Sequence, residues 1–341
     1  MASEAAVRRT FLKSMLATSV AGWLRPGRVW AAEGPTPCAG NATTGATRER
    51  LVPRVPPVGE RIRLVIDSDA AAEIDDLYAI SLAIAAPERF RIEGFVATHF
   101  AAAAGPESIA LSYQAIKKIL EITGTVDKYP LKRGGHPMNY LGVPSASEGA
   151  DWIIRRAHQG SAENPLWVVG IGAATNLASA VLKDPSITAK VRYVFHARSP
   201  QTWPQRSVQF NVMGDINAAR SLLSSRVPLV WFDAGTNLTA TMAETEKNLA
   251  TTKIGQYLHN FRYRNPGFAR SDKGFFDLGD IAWLISPSVA KSEVVPAPSM
   301  NGFMYFVPTT KNGNMRRVFE IDKTATWNLF YDKISKSASP S

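Results

Sequence analysis

A single cysteine, Cys38, among 341 residues leaves no intramolecular disulfide to form, so the packed core must carry the stability of the chain. Its surroundings, Thr-Pro-Cys-Ala-Gly, lack the aliphatic residues that precede a lipid-modified cysteine, and the thiol reads as inert. Apolar runs are short throughout. None reaches the length that spans a bilayer, which argues against a stable membrane anchor. A basic stretch interleaved with aromatics is missing too. Lysine and arginine outnumber the acids by ten, but four of those net charges fall in the first 32 residues and the rest are scattered, as at Arg155-Arg156 and Arg316-Arg317. That distribution speaks against nucleic acid as a partner. The chain is 45% hydrophobic and 20% charged, which excludes a fibre, a coiled coil or a disordered protein.

What is present begins with an address. Arg8-Arg9-Thr10-Phe11-Leu12-Lys13, a mildly apolar stretch over 14–24 and Trp30-Ala31-Ala32 make the charged start, apolar middle and small-residue cleavage point of a signal peptide. The paired arginines resemble a twin-arginine signal, a bacterial route that exports folded proteins to the periplasm or beyond. Such a route suits a chain without disulfides. Residues 1–32 are therefore read as the signal peptide, 33–60 as a flexible lead-in rich in Pro, Thr and Gly, 61–336 as one domain, and 337–341 as a tail.

Within 61–336, strand-like runs at 62–66, 91–97, 166–171, 191–196 and 227–232 alternate with helical patterns. Leu77, Ile80, Ser81 and Ile84 share one helix face, as do Ile109, Tyr113, Ile116 and Leu120, with Gly124 as a stop; 176–182 and 216–223 are further helices. The alternation predicts a single α/β domain with a mainly parallel, Rossmann-like sheet flanked by helices. Ligands of such sheets sit beyond the carboxyl ends of the strands, so residues just after each strand are the candidates.

The segment after the first strand is the most informative. Asp67 and Asp69 end the strand and Asp75 and Asp76 open the next helix, with Glu73 beside them. A helix N-terminus favours a nearby anion by roughly 0.3–1 kcal/mol, too little to hold several partly buried carboxylates together. A divalent cation resolves the conflict. Oxygen ligands alone, with no His or Cys nearby, favour Ca²⁺ or Mg²⁺ over zinc.

Asp67-Ser68-Asp69 followed by Asp75-Asp76 resembles the signature of the inosine–uridine type nucleoside hydrolases, with a loop two residues longer than usual. The likeness continues through Gly170-Ile171-Gly172-Ala173-Ala174-Thr175-Asn176-Leu177-Ala178, through Gln209-Phe210-Asn211 with Asp215 and Ala218-Ala219, and through Asp277, ten residues before Pro287. The resemblance implies the nucleoside hydrolase fold, and a Ca²⁺ ion held by Asp69, Asp76, Asp277 and the Ile171 carbonyl, with Asp280 the competing late ligand. It further implies that the sugar hydroxyls complete the coordination shell and that a metal-bound water attacks the anomeric carbon. Asp69 would be its general base, Asp75 would bond the sugar, and Asp67, Gln209 and Asn211 would line the sugar site. Dimers or tetramers are implied as well, although no interface pattern supports either. No Ser-His-Asp set is apparent, and this chemistry needs none.

The departures fall on the sugar and leaving-group side. Phe276 stands where the family often has a His, Gln209 replaces a Glu, the region of Trp203 replaces an Asn, and Thr98-His99-Phe100-Ala101 follows the second strand. His99 is either a polar contact or leaving-group acid, or a histidine packed at a strand end. Trp203 and Phe276 either stack on a base or belong to the core. His196 is read as structural. Three functions follow: a Ca²⁺-dependent hydrolase of ribonucleosides or related N-ribosides, a hydrolase of another furanoside or glycoside, or a metal-dependent sugar-binding protein without turnover.

Overall fold

A computed structural model describes residues 49–337; the twin-arginine segment, Cys38, the lead-in up to residue 48 and residues 338–341 lie outside the described residues. Strand β1 (Ile62–Ser68) is buried at every position, which is why it reads as an unbroken apolar run rather than an alternating one. It lies at the centre of the molecule, between β2 (Phe90–Ala97) and β4 (Leu166–Gly170), parallel to both. Beyond β2 comes the short β3 (Leu131–Arg133); beyond β4 come β5 (Val191–His196) and β6 (Leu229–Phe232), again parallel. The sheet ends in β8 (Asn314–Ile321), parallel to β6, and β7 (Ala290–Pro296), antiparallel to β8.

The alternation read from the sequence is the observed architecture: eight strands in the order β3-β2-β1-β4-β5-β6-β8-β7, mainly parallel and covered by helices. Successive residues of β1 feed two cores. Leu64 and Ile66 join the layer built on the first helix, α1 (Asp75–Ile84), while Val65 packs with Val96 and Val168 on the other face. Each such side chain contributes about 1.5–3 kcal/mol on burial. No helix among the described residues is long and apolar enough to cross a membrane.

Three details depart from expectation. Strand β6 begins at Leu229 rather than Val227, because Pro228 has no N–H to give a ladder. The antiparallel edge formed by β7 is absent from the sequence reading; four successive side chains from Lys291 to Val294 are exposed, so no apolar pattern marks it. Residues 49–60, assigned to a flexible lead-in, are docked instead. The Arg50 guanidinium is buried and donates to the carbonyls of Val227 (2.7 Å), Leu223 (3.2 Å) and Leu222 (3.3 Å).

At the start of β1 and β2 a buried ion cluster holds the strands together. Glu93 accepts from Arg63 Nε at 2.8 Å and Nη2 at 2.9 Å, and from Arg156 Nε at 2.8 Å. Arg91 bonds it too, at 2.6 Å, from an exposed position. Removing one partner of a buried pair strands the other charge. Glu93→Ala is expected to lower the unfolding free energy by about 3–5 kcal/mol in urea titrations, whereas Arg91→Ala should cost under about 1 kcal/mol.

Candidate active site

Strand register assembles the site. Asp67 lies opposite Val96 on one side and Gly170 on the other, and His196 opposite Phe232. The carboxyl ends of five neighbouring strands therefore meet along one edge, and the residues just past them, Thr98, Ile171, Arg198 and Asp233, gather there.

Asp67 is the internal anchor. It is fully buried, and its Oδ1 accepts from Thr98 Oγ1 at 2.5 Å while Oδ2 accepts from Asn176 Nδ2 at 2.7 Å. Asn176 also donates to Thr98 Oγ1 (2.7 Å) and accepts from Gly135 N–H (2.9 Å) and Ser147 Oγ (2.6 Å), so its amide is fully used. Burial raises the Asp67 carboxyl to about 7, against the pull of those donors. Asp67, assigned from sequence to the sugar site, has both oxygens taken by Thr98 and Asn176 and ties the strand ends together. Its carbonyl accepts from Ile171 N–H at 2.8 Å, which seats the β4 turn beside it. There Gly172 permits close approach: a Cβ on it would lie 3.1 Å from Asp69 Cγ.

Above this anchor the acids converge. Oxygens of Asp75, Asp76 and Asp277 lie within 4.8 Å of one another, and Asp76 and Asp277 share a hydrogen bond. Ser68 Oγ holds Asp76 at 2.5 Å. Asp277 sits at the head of α2 (Leu278–Ile285). Asp69 is 3% exposed and faces the same group. Burial, then mutual repulsion with Asp75, pushes Asp76 and Asp277 well above the usual carboxylate range, and burial with Asp76 and Asp75 does the same to Asp69. Asp280 is turned to His196, whose Nδ1 lies 2.7 Å from its Oδ2 and 3.6 Å from Asp277 Oδ1. His196, read as structural, is therefore part of the cluster, with its Nε2 buried and unpartnered.

Two cations escaped the sequence reading. Lys273 Nζ pairs with Glu73 at 2.8 Å and lies 3.7 Å from Asp75 Oδ1. Burial alone would lower its pKa, but Asp75 and Glu73 raise it. Arg198 lies over the Phe276 ring, Cζ 3.7 Å from its centroid. Phe276 in turn donates its N–H to Asp75 Oδ2 at 3.1 Å. The signal for Arg198 was its place two residues beyond a strand end; Lys273 had none.

The remaining candidates divide. Asn211 is buried at the site edge and donates to the His196 carbonyl at 3.2 Å. Gln209 is used as a cap, its Oε1 accepting from Asn211 N–H (2.7 Å) and Val212 N–H (3.3 Å), so it orients Asn211 rather than a sugar. His99 is fully buried with Nε2 2.7 Å from Thr175 Oγ1, and burial lowers its pKa to about 4. Of the two readings from sequence, this placement matches the histidine packed at a strand end. Trp203 packs on Phe306 at 4.9 Å and under Arg317 at 4.7 Å, and its backbone N–H bonds the carbonyl of Ser199, whose own N–H is given to Asp233.

The donor set suits a hard cation. Oxygens dominate, Asp75 Oδ1 is buried without a hydrogen-bond donor, and two touching carboxyls need a proton or a metal between them.

Comparison with known proteins agrees with this geometry. The profile of the family described as inosine-uridine preferring nucleoside hydrolase matches residues 64–328. A non-specific ribonucleoside hydrolase of Shigella flexneri serotype 5b is 27% identical over 161 residues, covering 45% of this chain and 50% of that protein. The chain thus spans about half the length of the curated relatives it matches. A plant nucleoside hydrolase and a purine-preferring ribonucleoside hydrolase from Gardnerella vaginalis superpose with TM-scores of 0.64 at 18% identity, over 81% of this chain and 100% and 99% of theirs. At that identity they establish the fold.

Raised carboxyl pKa values have a definite sign. Between roughly pH 4, the ordinary range, and the raised values, the fold binds protons that the unfolded chain has lost, so stability falls as pH rises. In chelator, the melting temperature is expected to drop from pH 5 to pH 8, and Ca²⁺ in place of the protons to abolish the drop. A chelated protein equally stable at both pH values would contradict the assignment.

Proposed function

We propose, for a chain that belongs to the inosine-uridine preferring nucleoside hydrolase family, that it cleaves the N-glycosidic bond of ribonucleosides or a related N-riboside in a Ca²⁺-dependent reaction. One observation carries this reading: the approach of Asp75, Asp76 and Asp277 to within 4.8 Å, beside Asp69, at the carboxyl edge of the sheet. Asp69, Asp76, Asp277 and the Ile171 carbonyl would hold the ion. Bound Ca²⁺ supplies positive charge that keeps the cluster ionised, acidifies a neighbouring water and offers positions for vicinal sugar hydroxyls.

The chain's own groups do the rest. Heterolysis places positive charge on the sugar ring, and the buried carboxylates face that charge in a site of low polarisability. Asp69 takes the proton of the attacking water. Asp75 receives a sugar hydroxyl; the Phe276 N–H on its other oxygen fixes its orientation. Asn211 borders the sugar, its amide tied to the His196 carbonyl.

Hydrolysis of another furanoside is the second reading, favoured by Gln209 and Trp203 being consumed in capping and packing. Export is part of the proposal and rests on the Arg8-Arg9 to Ala32 sequence alone, which suits a scavenging enzyme acting on small nucleosides.

Purified protein with Ca²⁺ should release reducing sugar from at least one common nucleoside and lose this activity in chelator. Asp69→Asn should lower kcat about 10³-fold, within the range for a lost general base. Calorimetrically confirmed calcium binding without sugar release from nucleosides would defeat the proposal. Release from other furanosides would then select the second reading, and tight sugar binding without product a non-catalytic binder.

A further inference from the structure

The site's guanidinium groups have different fates. Arg317 is engaged by Asp233 at 2.5 Å and Glu293 at 2.9 Å. Arg198, at the same edge, makes no hydrogen bond or ion pair among the described residues, and its Nε is buried without a partner. What it has is a ring. The guanidinium lies 3.7 Å from the Phe276 centroid, and Phe276 is seated over Gly274, where a Cβ would come within 1.9 Å of the ring. Lys273 also flanks that ring, at 5.1 Å, but is paired with Glu73. A guanidinium engaged by a ring rather than by an acid keeps N–H groups free for another acceptor.

Position suggests what those donors meet. Phe276 is bonded through its backbone to Asp75 and precedes Asp277, so the Arg198–Phe276 pair adjoins the carboxylates that take the sugar. The acids are buried, whereas Arg198 and Phe276 are partly exposed. A riboside whose sugar sits on the acids must therefore direct its aglycone towards this more open flank. Arg198 stacks on Phe276, so that flank offers an aglycone a guanidinium beside the ring.

Resting on the N-riboside reading above, we propose that Arg198 is the leaving-group contact of this enzyme. Water oxygen bonds to C1′, its proton passes to Asp69, and the C1′–N bond breaks with its electron pair going to the base. Arg198 donates hydrogen bonds to the base as this negative charge develops, and the departed base takes its proton from solvent. A guanidinium does not give up its proton near neutrality, so it assists by charge and hydrogen bonding, the task for which His99 is too deeply packed.

The test is a leaving-group series. Unsubstituted protein, Arg198→Ala and Arg198→Lys are compared on inosine, uridine, adenosine and 4-nitrophenyl β-D-ribofuranoside, with calcium binding and melting temperature measured for each. Arg198→Ala should lose about 10²-fold in kcat/KM on the nucleosides, the usual cost of one preorganised donor. The loss should be at least tenfold smaller on the nitrophenyl riboside, whose nitrophenolate departs with little assistance. Arg198→Lys should fall between, since a point charge replaces a fork, and millimolar guanidine should partly restore the alanine variant. Equal losses on all four substrates, in a variant that melts and binds calcium normally, would overturn the role of Arg198 and leave the hydrolase reading standing. No turnover of any riboside by the calcium-loaded unsubstituted protein would remove both.

Discussion

Like charge forced into a small dry volume is the constraint on which the rest of the molecule depends. Asp69, Asp75, Asp76, Asp277 and Asp280 are all nearly or fully buried, and each pushes on its neighbours. Lys273 answers part of this charge, and His196 gives Asp280 a hydrogen-bond partner. The remainder calls for a mobile positive partner or for protons, and the choice between them couples the fold to pH and to divalent ions. Few arrangements tie stability and chemistry so directly. The groups that repel one another are the groups that would face a cationic sugar.

Holding such a site open requires a frame that does not yield. The frame is a buried hydrogen-bond network. Asp67 is locked by an alcohol and an amide, and Asn176 spends every donor and acceptor it has on Asp67, Thr98, Gly135 and Ser147. This network ties the ends of β1 and β2 to the loops beside them, so the acids above cannot relax by spreading. Gln209 performs a similar task on the opposite flank by capping the turn that carries Asn211. Two residues that look like ligands in the sequence are therefore the ones that keep the ligands in place.

What could be read from the chain follows from burial. Strands β1, β4 and β5 are apolar and deeply placed, and their runs announce them; β7, with its exposed Lys291, Ser292 and Glu293, announces nothing. Arg316-Arg317 looked like scattered surface charge, yet it lies in β8, where Arg317 is buried against Asp233. A buried ion pair is invisible until both partners are known. The acidic half of the site was legible because five acids in ten residues have no structural excuse. Phe276 was legible as a departure, but Arg198 and Lys273 were not, since the Arg198–Phe276 stack and the Lys273–Glu73 pair each join positions more than 70 apart and leave no local spacing to detect.

The hydrogen bond between Phe276 N–H and Asp75 joins groups 201 residues apart. Half of the acidic cluster is therefore synthesised early and waits, exposed, for the other half. Until the helix headed by Asp277 docks, the nascent chain offers at most a loose acidic turn to any ion it meets. Cation capture is thus a late event in the life of the polypeptide, and a bound ion would report that the α/β body has closed from the first strand to the helix headed by Asp277.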